Sequence, residues 1–374
     1  MLLIGADWLQ GPYLYKLYND YGLSLTEIAM LFLTGFVSGA FAGTAVGGLA
    51  DTWGRKRVCI VFCFTMIIAL LLRLINIYPL LFISHLLSGL ATALMYSVFE
   101  SWYVSEHTSR GFPADWRART FALSTLLNSI VAIFAGVIAN ELVGLWGFRA
   151  PYIGSILMVS TVAVMVLSTW TENYGRNVQS NMQNDNLLKT LKTGLRTMLS
   201  SKNIVVLGLA QTLFECSMYI FVLLYTPAFE NVIFNNIGQI PADGLNLGYL
   251  FSTMMMAVMV GSLLFQIVEL EIKKGPNRTF AKFSEEKLLI VALAAASISF
   301  ILMARYGETS ITTLLIAYHV FECTTGLYYP SIASLKAEAI PEETRAAVMT
   351  LIRIPMNLGV GFILYHVGSN NNRR

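Results

Sequence analysis

Apolar stretches long enough to cross the roughly 30 Å hydrocarbon layer of a bilayer recur from one end of this chain to the other. They fall at residues 1–15, 24–50, 58–77, 79–104, 121–143, 151–170, 204–229, 246–268, 288–303, 310–335 and 348–366. The pattern predicts an all-α membrane protein of about eleven spans. The first stretch gives only about 23 Å of helix at about 1.5 Å per residue, short of the layer it must cross. Its Asp7 is foreign to the apolar core of a signal peptide. The chain therefore reads as beginning inside a helix. With the polar tail 369–374 following directly on the last stretch, sequence is expected to be missing at both ends.

Charge placement tests the span count independently, because cytoplasmic loops collect Lys and Arg. With the loop between spans two and three inside, alternation puts 18 bases on that side, among them Arg55, Lys56, Arg57 and Lys336, and 3 on the other. The longest connection follows span six and opens rich in Asn. It then becomes amphipathic: Leu188, Leu191, Leu195, Met198 and Leu199 share one helical face, with Lys189, Lys192 and Arg196 opposite, as in a helix lying on the cytoplasmic leaflet. The expected organisation is an N-terminal half over 1–172, a linker over 173–203, a C-terminal half over 204–368 and the tail. A faint repeat supports two halves. Residues 85–97 (HLLSGLATALMYS) and 319–331 (HVFECTTGLYYPS) share a His, an apolar run, a Gly-Leu pair and an aromatic before a Ser.

Composition agrees with lipid as the main solvent: 56% of the 374 residues are hydrophobic and 13% charged, against about 25% charged in soluble domains. A net charge of +3 with no basic stripe excludes a nucleic-acid partner. Cys59, Cys63, Cys216 and Cys323 all lie within apolar runs and read as buried thiols. No nucleophile with a base, no phosphate cradle after a strand and no Cys/His metal spacing is present, so neither an enzyme, a cofactor nor a metal is expected.

Between spans two and three stands Gly47-Gly48-Leu49-Ala50-Asp51-Thr52-Trp53-Gly54-Arg55-Lys56-Arg57. It resembles the signature loop of the major facilitator superfamily, G-x-L-A-D-R-x-G-R-K-x-R or K, at Gly47, Leu49, Ala50, Asp51, Gly54, Arg55 and Lys56, and departs at Thr52 and Val58. The resemblance implies a gating role, with Asp51 and Arg55 helping to lock the two halves in the outward-facing state. Residues 6–15 (ADWLQGPYLY), 99–103 (FESWY), 170–174 (WTENY), 211–215 (QTLFE) and 353–355 (RIP) look like the molybdate-anion transporters of that superfamily. This likeness runs from about Gly5 to Gly361 and departs at the ends, where the family has an N-terminal extension and a final span.

Polar groups inside spans are the independent sign of a translocation path, since a charge at mid-bilayer costs about 2.5 kcal/mol or more. They are Asp7, Gln10, Arg73, Glu100, Gln211, Glu215, His319, Glu322, Arg353 and Asn357. The superfamily arrangement lines a central cavity with spans one, four, seven and ten, and Asp7, Glu100, Glu215 and Glu322 fall one on each. Arg73, near the outer end of its span, is expected to snorkel to the interface. His85 and His319 read as helix-packing histidines.

The expected substrate contacts are Arg353, Asn357, Asp7, Gln10, Gln211, Glu215 and Glu322, with Arg353 the main positive contact and Glu322 its alternative partner. Asp7, Glu100, Glu215 and Glu322 are the proton-coupling candidates, and Gly47, Asp51, Gly54, Arg55 and Lys56 the gate. The chain is expected to be a monomer in the plasma membrane that moves molybdate or a related oxyanion by alternating access. A sugar, peptide or organic-cation transporter, or a transport-inactive membrane scaffold, is the alternative.

Overall fold

The computed structural model describes residues 1–174, 187–238, 245–273, 285–341 and 344–371, with the side chains of some helical positions left aside. Every regular element among the described residues is helical. The first expected span is broken in two: α1 (Leu2–Gln10) passes through a 3-10 turn at Gly11–Tyr13 into α2 (Leu14–Asp20). Pro12 supplies no backbone N–H there, so an unbroken ladder is not available. Then follow α3 (Leu25–Trp53), α4 (Arg55–Arg73), α5 (Tyr78–Ser109), α6 (Ala114–Trp146) and α7 (Ala150–Thr169). After the connection come α8 (Leu187–Ser200), α9 (Lys202–Ile237), α10 (Leu247–Lys273), α11 (Glu285–Tyr306), α12 (Ile311–Ala339) and α13 (Arg345–Asn371).

Among the described residues, six of these helices are apolar and long enough by themselves to cross a membrane, within α5, α6, α7, α9, α10 and α11. The helices outside that set include α4 and α12, which carry charged residues such as Arg73, Glu322 and Lys336 along their length.

The chain divides into two compact units, residues 1–184 with 361–374, and residues 185–360. Each is held by close helix crossings at glycine, the device of proteins whose helices associate without a hydrophobic difference from their solvent. In the first unit a Cβ on Gly89 of α5 would run into the backbone of Gly35 and Gly39 on α3. Ser38 Oγ donates to the Leu86 carbonyl across that crossing at 2.6 Å. In the second unit a Cβ on Gly326 of α12 would strike the Val258 carbonyl, and one on Gly261 of α10 the Cys323 carbonyl. Pro330 cannot donate to the carbonyl of Gly326, and Ser262 Oγ bonds that oxygen instead, at 3.2 Å. The glycine of each Gly-Leu pair in the sequence repeat is therefore the crossing point of its half. The outer faces carry large apolar side chains, such as Phe134 and Leu157 in one unit and Leu213 and Ile290 in the other, each more than 60% exposed. Lipid is the solvent such faces suit.

Candidate functional site

In the second unit, α9 presents Gln211, Glu215 and Tyr219 at intervals of four, one face of the helix. Gln211 and Lys336 are both buried, and Lys336 Nζ donates to Gln211 Oε1 at 2.9 Å. The Glu215 carboxylate accepts from Gln211 and, at 3.5 Å, from the Tyr328 hydroxyl, and it feels the charges of both Lys336 and Arg353. Tyr328 is fixed by stacking on Phe214, ring centroids 3.8 Å apart. Arg353 also acts on Lys336 and Tyr219, yet its side chain is exposed, and among the described residues it makes no ion pair. The cluster thus holds two bases and one acid, with one base open.

Lys336 was counted above with the loop bases. The structure corrects this: α12 runs on to Ala339, past the expected end at 335, so Lys336 is a helical residue turned onto α9. Sequence offers one signal for it, its place eight residues after Tyr328 on the same face of α12.

The first unit contains a counterpart. Arg73 is 3% exposed and donates from Nη1 to Gln10 Oε1 at 2.7 Å and from Nη2 to Ser88 Oγ at 3.1 Å. The expectation that it snorkels to the interface is overturned, because these oxygens of α1 and α5 meet its charge inside the bundle. The Tyr18 hydroxyl meets His85 Nε2 at 2.7 Å and also reaches the guanidinium. Asp7 feels the Arg73 charge and lines a 10 Å³ cavity with Phe62, Met66, Thr92 and Met95, about enough for one water. Its neighbours in the 6–15 segment are anchored to α6: Trp8 donates to Asn128 at 3.0 Å and Tyr13 to Asn140 at 2.8 Å.

A third assembly joins three of the sequence segments singled out above. Gly54 turns at φ +103°, leaving the first amides of α4 without helical partners. Glu172 supplies them: its two carboxylate oxygens accept from the amides of Lys56 at 2.8 Å and Arg57 at 3.2 Å, and the Asn173 carbonyl accepts from Arg55 N at 3.0 Å. Lys56 Nζ in turn donates to the carbonyls of Trp170 and Leu167 at the end of α7. Trp102 stacks on Trp170 at 3.6 Å and donates to the Thr171 carbonyl at 2.8 Å. A Cβ at position 54 would meet the Glu172 carboxylate. The carboxylate and the glycine are one device, 118 residues apart in sequence, and periodicity could not have linked them.

The remaining sequence candidates lie elsewhere. Glu322 is buried in α12, and no charged group among the described residues acts on it. It lies fourteen residues, about 21 Å of helix, before Lys336. Among the described residues it makes no ion pair with Arg353. Glu100 is exposed. His319 bonds the Leu315 carbonyl of its own helix, and Cys59 and Cys63 are buried thiols. Gly47, Asp51 and Asn357 lie outside the described side chains.

Comparison of the whole chain with solved structures bears on the fold. The nucleoside transporter NupG matches with a TM-score of 0.70 at 15% identity, over 97% of this chain and 87% of that one. The D-xylose-proton symporter matches with a TM-score of 0.67 at 14% identity, over 98% and 87%. At such identity the likeness is one of fold, and the fold is that of major facilitator transporters. A family model described as sugar transporters with 12 transmembrane segments matches residues 1–308. The molybdate-anion transporter of Xenopus tropicalis is 32% identical over 97% of this chain and 76% of its own length, and that of Danio rerio 33% over 96% and 75%. The chain belongs to the molybdate-anion transporter family of the major facilitator superfamily, and is an integral, multi-pass membrane transporter.

Proposed function

We propose that this chain moves molybdate, or a closely related tetrahedral oxyanion, inward across the plasma membrane by alternating access. The observation that carries the reading is the Gln211–Glu215–Lys336 cluster with Arg353 open beside it. A guanidinium offers a planar fork of donors to an oxyanion, while a buried ammonium offers a point charge. Glu215 partly balances both bases, and an arriving dianion competes with it for them. Molybdate is also the cargo for which the relatives are named. Carrying a dianion inward against about 100 mV costs roughly 4.6 kcal/mol, at about 2.3 per charge. Uptake therefore needs co-transported protons or another gradient. Glu215, displaced from the bases by the anion, is the first coupling candidate, and Asp7, Glu100 and Glu322 follow.

The halves 1–172 and 204–368 are the two moving parts in this reading, the chain acts as a monomer, and the base-rich side with the 173–203 connection faces the cytoplasm. Asp51 and Arg55 serve as the gate, steadied by Glu172. Asp51→Asn should then slow turnover with little change in apparent affinity.

A second reading, transport of a sugar, is favoured by the family model's description and by the excess of acids over bases inside the spans. Uptake of isotopic molybdate by cells expressing the chain separates the two. Competition by tungstate but not by hexoses is the expected result, and competition by hexoses would overturn the oxyanion.

A further inference from the structure

One extended residue, Ser201 (φ −116°, ψ 115°), joins α8 to the first span of the second unit, α9. A single residue reaches about 3.5 Å, so α8 stays at the surface of whatever membrane α9 enters. Its circumference is ordered. Gly194 is buried and Met198 packs against the cluster of Ile204, Ile340, Val348 and Ile352, which marks the side held by protein. About 60° and 100° further round, at about 100° per residue, Leu195 and Leu199 are 41% and 67% exposed. Next round come Lys192 and Arg196, exposed and, among the described residues, without an ion pair. Thr193 and Thr197 close the circle. Open leucine beside open base, on a helix tethered to a span, fits a headgroup layer: acyl chains take the leucines and phosphates the bases. A soluble acidic partner would leave the leucines uncovered.

We propose that α8 docks on anionic phospholipid headgroups, with Lys192 and Arg196 as the phosphate ligands, and that this docking supports transport. Met198 provides the link. In the cluster it packs against, Ile340 lies one turn after Lys336, and Ile352 immediately precedes Arg353. The effect on transport rests on the functional reading above; the docking does not.

The test uses the full chain with Leu199→Cys carrying an environment-sensitive fluorophore, reconstituted in phosphatidylcholine vesicles with or without phosphatidylserine. The labelled parent chain serves as background. Phosphatidylserine should shift the emission to the blue, and high salt should reverse the shift. Each base near an anionic leaflet is worth about a fivefold partition effect, so Lys192→Gln with Arg196→Gln should abolish the shift. In parallel, phosphatidylserine should raise molybdate uptake severalfold in the parent and not in the double variant, whose uptake in phosphatidylcholine alone should match the parent. Equal emission in both lipids, or an undiminished shift in the double variant, would overturn the docking. A normal shift with lipid-independent uptake would overturn its effect on transport. Absence of uptake in every lipid would count against the transport reading, while the emission arm still decides the docking.

Discussion

The two halves solve the same problem differently. Each buries a base against a glutamine from its first expected span, Arg73 on Gln10 in one and Lys336 on Gln211 in the other. In the N-terminal half Ser88 and Tyr18 add further oxygens, Asp7 lies within reach of the charge, and the guanidinium is buried with its Nε unpartnered among the described residues. In the C-terminal half a carboxylate, two tyrosines and a second, exposed base surround the pair. A buried cation whose terminal nitrogens are met by fixed neutral oxygens reads as mainly structural, although its Nε has no partner among the described residues. A sealed cation beside an open one reads as a site. The shared glutamine–base pair is thus insufficient to mark function, and the added Arg353 is what separates the halves.

The comparison can be sharpened by substitution. The largest effect should come at the crossings the halves share. Gly89→Val and Gly326→Val each force side-chain atoms into backbone, for which overpacking costs of about 1–3 kcal/mol are the lower end. Both should lose most of the folded protein in a detergent thermal-shift measurement, and survival of either would break the equivalence of the two crossings. Lys336→Gln should come next. It removes a charged donor to a buried amide, so apparent affinity for molybdate should fall roughly tenfold, as for hydrogen bonds to charged groups. Gly54→Ala should lower turnover and stability by about 1–3 kcal/mol for a side chain in a glycine-only conformation, and Glu172→Gln should do so more weakly. Glu322→Gln should matter least: with no charge acting on it, apparent affinity for molybdate should stay unchanged.

Much of the fold was legible in the chain because lipid demands long apolar runs. All eleven expected stretches correspond to helical segments here, the first in two pieces. The span-seven pair Gln211 and Glu215 was legible too, because a spacing of four puts both on one face. Lys336 was not. A lysine near the end of an apolar run looks like a loop base, and only the extra helical turn to Ala339 shows otherwise. Arg73 misled for the reverse reason: its long stem makes snorkelling plausible until Gln10 and Ser88 are seen to meet it. Glu172 was quoted as part of a segment without a role, since its work is done on amides of a helix that begins at Arg55. Contacts between distant segments leave no periodic trace.

The central claim is that the C-terminal base cluster, and not its N-terminal counterpart, meets the anion. Isotopic molybdate uptake per molecule at the cell surface, measured for Arg353→Ala, Arg353→Lys and Arg73→Met side by side, tests it most directly. Arg353→Ala should reach the surface normally and lose uptake roughly ten- to a hundredfold, in line with charge-assisted hydrogen bonds of about 1.5–3 kcal/mol. Arg353→Lys should lose less. Arg73→Met should lower the amount of protein while uptake per surviving molecule stays near normal. Normal uptake by Arg353→Ala, or a loss confined to Arg73→Met, would contradict the assignment.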